Sequence, residues 1–160
     1  MIIRKATIED LRDITDVEAA CFPEAEAASE ESFKKRLNHF ADRFWLLYDG
    51  DKLVSFVNGM VTNDTDLVDE MFADASLHDE NGDWQMIFGV ATLPEYRRKG
   101  CAGMLLERAI EDCRKEGKKG LVLTCKEAKL HYYAKFGFEN EGVSCSEHGG
   151  ALWYQMRITF

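Results

Sequence analysis

Residues 85–117 constrain the fold more than any other part of this 160-residue chain. Gln85 to Thr92 is apolar nearly throughout, the pattern of a strand buried on both faces. Gly89 within it marks a bulge or a close backbone approach. The strand runs into a turn at Pro94 and then three consecutive cations, Arg97, Arg98 and Lys99. Gly100, Cys101, Ala102 and Gly103 open an amphipathic helix with Met104, Leu105, Leu106, Ala109, Ile110 and Cys113 on its apolar face, ending near Gly117. Small residues let a ligand approach the backbone, and the free N–H groups of a first helical turn point at it. With the helix dipole added, the stretch suits a pyrophosphate. The alternative is a basic turn with a glycine kept for packing. Spacing excludes a GxxxxGK[ST] loop and a GxGxxG fingerprint.

The remaining elements fall around this segment. Ile2 to Ala6 reads as a strand, and Thr7 with Asp10 as a helix start close to a capping box. Ile8, Leu11, Ile14, Val17 and Cys21 follow at near-helical spacing until Pro23, and Ser29 opens a second helix carrying Phe33, Leu37 and Phe40. Phe44–Tyr48 and Leu53–Val57, joined through Asp49-Gly50, predict a hairpin. Thr62 to Asp83 is an acidic insertion with one short helix around 67–72, long for a plain connection. Leu121–Leu123 predicts a short buried strand, Glu127–Phe136 a helix closed by Gly137, and two final strands lie near 138–143 and 151–158. The order is strand, two helices, three strands, helix, strand, helix, two strands. This is an α/β (α+β) fold with one mixed sheet and helices on both faces, in a single domain over 1–160.

Charge is distributed unevenly along the chain. The net charge is −9, which argues against a nucleic-acid partner. Residues 53–96 carry nine acids and no Lys or Arg, whereas residues 97–160 are net basic by four. An anionic ligand therefore favours the C-terminal part, and a cationic one the middle, unless the acidic insertion is only a solvated surface. Five widely spaced cysteines without a CxxC pair point to reduced thiols and a cytoplasmic protein. Scattered histidines signal no metal site. No apolar run approaches a membrane span and no signal-peptide stretch stands at the N-terminus, so a membrane association is not expected.

Arg97-x-x-Gly100-x-Ala102, after a buried strand and before an amphipathic helix, resembles the [Q/R]-x-x-G-x-[G/A] signature of the GNAT superfamily of N-acetyltransferases. The element order is similar over essentially the whole chain. Within the superfamily, the hairpin at 44–56, the run Leu123-Thr124-Cys125-Lys126-Glu127-Ala128 and Tyr133-x-x-Phe136-Gly137-Phe138 look most like serotonin (arylalkylamine) N-acetyltransferases. The resemblance implies a mostly antiparallel sheet and acetyl-CoA in a cleft where two central strands splay. It implies that the pantetheine arm pairs with the backbone of Val90, Ala91 and Thr92. The pyrophosphate would lie on Arg98, Lys99, Gly100, Cys101, Ala102 and Gly103, beside Arg97. It also implies that Tyr133 protonates the leaving thiolate, with the adjacent Tyr132 as rival. A phenol, with its pKa near 10, stays protonated at neutral pH and can stabilise a thiolate as it forms.

The chain departs from those relatives at the general base. Their strand histidines, or the glutamate of histone-acetylating members, fall at the positions of Met86 and Phe88. The acids of the 64–83 insertion are the candidates instead, as a group. Trp84, Met86 and Phe88 offer apolar and aromatic surface on which a substrate skeleton could pack. Cys101 as an acyl-accepting nucleophile and His131 as a base are weaker alternatives. The expectation is a monomeric or homodimeric enzyme acetylating a small, cationic, partly apolar or aryl amine. An acyl-CoA sensor without catalysis and a protein or peptide acetylase are the competing expectations.

Overall fold

The computed structural model describes residues 1–160 in full. Local signals act where the sequence places them. Thr7 forms a capping box with Asp10, whose carboxylate accepts the Thr7 N–H at 2.8 Å, and this leads into α1 (Leu11–Cys21). Ser29 accepts the Ser32 N–H at 3.1 Å and starts α2 (Glu30–Phe40). Strand β1 (Ile2–Lys5) pairs with β2 (Phe44–Asp49), and β2 turns at Gly50, φ +60°, into β3 (Lys52–Asn58). The insertion contributes β4 (Val61–Thr62) and α3 (Asp69–Ala73). There follow β5 (Trp84–Ile87), β6 (Gly89–Thr92), α4 (Cys101–Lys115), β7 (Gly120–Cys125), α5 (Leu130–Ala134), β8 (Glu139–Val143) and β9 (Tyr154–Thr159).

The strand expected over 85–92 is broken at Phe88, and this break divides the sheet. One half runs β1-β2-β3-β6 and the other β4-β5-β7-β9-β8. All neighbours are antiparallel except β5 and β7, whose ladder ends at Ile87 opposite Leu123. Past that pair the chain changes partner: Phe88 N–H donates to Asn58 O at 2.7 Å, and β6 continues along β3. The bulge expected from Gly89 is therefore present. The close backbone approach lies instead at Gly59, where a Cβ would stand 1.8 Å from the Met86 carbonyl oxygen.

Two cores flank the sheet. Phe44, Leu46 and Phe56 face α1 and α2 through Ile14, Val17, Phe33 and Leu37. The alternate residues Trp45, Leu47 and Val57 face α4 through Leu105, Leu106 and Ala109. Strand β2 is thus apolar on both sides because each side meets a helical layer. The insertion is packed down by Leu67, Met71 and Ala75, all buried in the first core. No helix is long and apolar enough to cross a membrane.

Candidate active site

Where the chain leaves β7 after β5 and passes into β6, a cleft of about 300 Å³ opens. Phe88, Gly89 and Val90 line it from the strand break, Thr124 and Cys125 from β7, and Tyr133 from α5. Further wall comes from the end of α1 and the residues after it, from Lys126 and Lys129, and from His148 and Trp153. Strand β6 is the edge of its half-sheet. Leu93 N–H donates back to Val54 O at 2.9 Å, so by alternation Val90 and Thr92 turn their backbone groups toward the cleft. Ala91 is buried, and its carbonyl accepts the Ser55 hydroxyl at 2.8 Å. The Thr92 carbonyl is already occupied, by Arg97 Nε at 3.1 Å and Cys21 Sγ at 3.2 Å. Val90 is therefore the main backbone position for an extended ligand on this edge.

The loop after β6 has the geometry of an anion cradle. Arg98 has φ +62° and Gly100 φ +80°, so two residues near the start of α4 are left-handed. Such backbone turns N–H groups to one side, and the 15-residue helix adds its dipole there. Arg97, Arg98, Lys99 and Gly100 are exposed, and Ala102 and Gly103 are half-buried. Tyr96 anchors the loop to the hairpin through its hydroxyl, which donates to Asp49 at 2.8 Å. Cys101 is the exception: its side chain is 2% exposed and belongs to the second core, which removes it as a nucleophile. Among these elements a phosphate-tailed thioester finds an edge strand, an anion cradle and a cleft, so the residues present fit acyl-CoA.

Tyr133 lines the cleft and Tyr132 does not. The Tyr133 ring is held edge-on by Phe138 at 6.1 Å and Tyr132 at 5.1 Å between centroids. No protein group bonds its hydroxyl, and burial, with the neighbouring Cys125 and Tyr132, pushes its pKa above the ordinary phenol value. The group therefore stays protonated throughout the neutral range. His131 is exposed on the same helix and lies outside the cleft.

Three expectations are corrected. Met86 is fully buried in the first core opposite Val122, and Trp84 pairs with Gly120 under the Arg157 guanidinium, 4.6 Å from its ring. Both precede the break, so of the three proposed packing residues only Phe88 reaches the cleft. The insertion's acids are also elsewhere. Asp66 pairs with Arg157 at 3.2 Å, Glu80 with Arg43 at 2.7 Å and Asp83 with Lys119 at 3.2 Å, while Asp69 accepts from Ser146 and Glu147. None of them lines the cleft. The insertion instead supplies Phe72, which packs on Phe88 at 4.6 Å and stacks on His148 at 5.3 Å.

The residues missed in the sequence are Glu18, Phe22, Glu26, His148 and Trp153, all of which line the cleft. Glu18 is 7% exposed. Its Oε2 accepts the Ala28 N–H at 2.9 Å, and its Oε1 is buried with no partner. Burial pushes its pKa up, against the Ala28 N–H, Arg36 and His148. Glu26 is neutralised by Lys126 at 2.8 Å. One signal was available: Glu18 follows Ile14 by four residues on the stripe that α1 buries.

Fold and site together define a protein of the acyl-CoA-using transferase class. More particularly, the chain belongs to the acetyltransferase (GNAT) family, whose sequence model matches residues 10–138. No curated protein matches the chain. Among solved structures it is similar to the GphF GNAT-like decarboxylase in complex with isobutyryl-CoA, at 18% identity and TM-score 0.84, covering 99% of each chain. It is also similar to the ribosomal-protein-S18-alanine N-acetyltransferase from Escherichia coli, at 19% identity and TM-score 0.73, covering 99% of this chain and 92% of that one. A third is the PaiA N-acetyltransferase from Thermoplasma acidophilum in complex with coenzyme A, at 18% identity and TM-score 0.73, covering 99% and 98%. At these identities the likeness is one of fold.

Proposed function

We propose that this chain transfers the acetyl group of acetyl-CoA directly to the primary amine of a small, cationic, partly apolar or aryl molecule. The observation that carries the reading is the Tyr133 hydroxyl. It is free of any protein partner and shares one small cleft with a buried carboxylate and an aromatic wall. Phe22, Phe88 and Trp153 suit a hydrocarbon or aryl body, and Glu18 suits the ammonium group attached to it. The attraction for a cation thus comes from α1 rather than from the acidic middle of the sequence.

Acetyl-CoA supplies the activated acyl group as a thioester. The left-handed loop at Arg98 and Gly100, with the first turn of α4, binds its pyrophosphate. Val90 orients the pantetheine arm along the edge of β6. The aromatic wall keeps water from the thioester, and Tyr133 gives its proton to the sulfur as that atom leaves. The five free cysteines fit a reducing, cytoplasmic setting, and the net charge of −9 fits a small-molecule partner rather than a nucleic acid.

The test is thiol release from acetyl-CoA with arylalkylamines, polyamines, amino-terminal peptides and lysine peptides. Turnover with small aryl or apolar amines supports the reading. Turnover with peptides alone makes the chain a protein acetylase. Coenzyme A binding without thiol release on any amine makes it an acyl-CoA-binding protein without catalysis.

A further inference from the structure

We infer that Glu18 is the proton acceptor of the transfer, drawing the proton of the acceptor amine onto Oε1. The inference rests on the amine-transfer reading above and names the group which that reading leaves open. The strand break carries only hydrocarbon, since Met86 is core and Phe88 is a phenyl ring, and the insertion's acids lie outside the cleft. The cleft must therefore find its base among the other residues around it.

Glu18 is the group whose bonding is incomplete there. Its Oε2 is held by Ala28, which fixes the carboxylate, and its Oε1 has no donor although the side chain is more than nine-tenths buried. A buried acceptor without a donor is destabilised, and an amine N–H entering the cleft removes that deficit. The competing groups are committed. Glu26 is paired with Lys126, and the Cys21 thiol donates to the Thr92 carbonyl. Cys125 is pushed up to about 11 by burial and holds its proton in the neutral range.

The charges around Glu18 come from every neighbouring element. Arg36 on α2 is 5% exposed, donates to Asn58 Oδ1 at 3.2 Å and leaves Nε without a partner. Its positive charge favours ionised Glu18 without a direct ion pair between them. His148 favours it from the 148–150 turn, and Lys129 and Tyr133 line the same cleft. The His148 Nε2–H donates to the Glu26 carbonyl at 2.9 Å, which leaves Nδ1 as the one rival acceptor. Burial raises the Glu18 pKa, and the Ala28 N–H and the Arg36 charge oppose it. Burial prevails, so the carboxylate is more basic than an ordinary glutamate.

The proton balance closes with two protein groups. Oε1 takes one proton from the ammonium, and the freed lone pair forms the C–N bond at the thioester carbonyl as the C–S bond breaks. Tyr133 protonates the departing sulfur and is itself reprotonated by the second proton on nitrogen. Glu18 then releases its proton to solvent, so ammonium and acetyl-CoA yield amide, coenzyme A thiol and one proton.

Glu18→Gln and Glu18→Asp decide it, with His148→Gln as control. The readouts are thiol release with amine, slow thiol release with water as acceptor, calorimetric coenzyme A affinity and Tm. In the wild type, kcat/KM should rise with pH through a limb above the ordinary glutamate value of about 4.3. Glu18→Gln, which can still accept the Ala28 N–H, should lower kcat about 10²–10⁴-fold and remove that limb, with coenzyme A affinity and Tm near wild type. Glu18→Asp should restore part of the rate together with the limb. Glu18→Gln within threefold of wild type, or a limb lost in His148→Gln instead, overturns the inference while amine transfer stands. Release with water and none with any amine overturns the amine reading and the inference with it. A wild type that releases no thiol in either assay overturns both.

Discussion

Replacing Tyr133 by Phe removes one hydroxyl from the cleft, and the structure separates its chemical effect from its structural one. The hydroxyl bonds no protein group, so no internal hydrogen bond is lost. The ring contacts with Phe138 and Tyr132 involve only carbon faces and edges and are kept by Phe. Folding stability should therefore change by less than about 1 kcal/mol, with its sign toward stabilisation, because a polar atom without a protein partner is removed. Catalysis should respond quite differently. A positioned acid contributes about 10²–10⁴-fold, or roughly 3–5 kcal/mol of barrier, so kcat should fall by that factor with coenzyme A affinity unchanged. Steady-state thiol release, calorimetry of coenzyme A and a thermal melt on one preparation provide the three numbers. Because its pKa is raised by burial, Tyr133 should produce no alkaline loss of activity near pH 8–9, where a less buried acid would begin to titrate. An unchanged kcat, or a fall in kcat matched by a fall in Tm, would refute the reasoning. Loss of activity in Tyr132→Phe but not in Tyr133→Phe would assign the role to the other face of α5.

Three further outcomes test the frame around the site. Gly100→Glu meets no atom within 4 Å but sits at φ +80°, so it should fold with a loss of about 1–2 kcal/mol and bind coenzyme A at least 100-fold more weakly by calorimetry. Gly59→Ala should cost more than about 3 kcal/mol in urea unfolding, since its Cβ would stand 1.8 Å from the Met86 carbonyl oxygen and push the strand break open. Arg43→Leu removes a guanidinium that is 3% exposed and bonds Glu80, Glu116 and Gln85, and should cost about 3 kcal/mol. Arg43 chiefly holds the Glu80 carboxylate below its ordinary pKa, so that stabilisation is present above about pH 4.3 and lost as pH falls through the folded-state value. Acid unfolding of Arg43→Leu should be correspondingly less steep; an unaltered pH dependence contradicts this assignment.

What the sequence determined by itself is what short-range forces decide. Thr7 with Asp10, Ser29, and Asp49-Gly50 set backbone geometry through atoms a few residues away, and each element begins or turns where those residues stand. The run from Thr92 to Gly103 is local in the same sense, because the first turn of a helix builds the anion cradle from consecutive residues. The continuous apolar run also marked Gln85 to Thr92 as a strand. It could not show that the strand through Phe88 changes partners in mid-course, because the cause is a contact with the backbone of β3, about thirty residues earlier. That exchange places Trp84 and Met86 in the core and leaves only Phe88 at the cleft.

The acids sort the same way. Charge counting marked residues 53–96, yet Arg43, Lys119 and Arg157 from distant segments neutralise acids there. The carboxylate left facing the cleft is Glu18, brought by α1 to a wall completed by Tyr133, more than a hundred residues later. Spacing and propensity record the local terms of the folding energy. Which side chains lose their water and which find a counter-charge is decided by contacts between remote segments, so the cleft's chemistry emerged only with the tertiary structure.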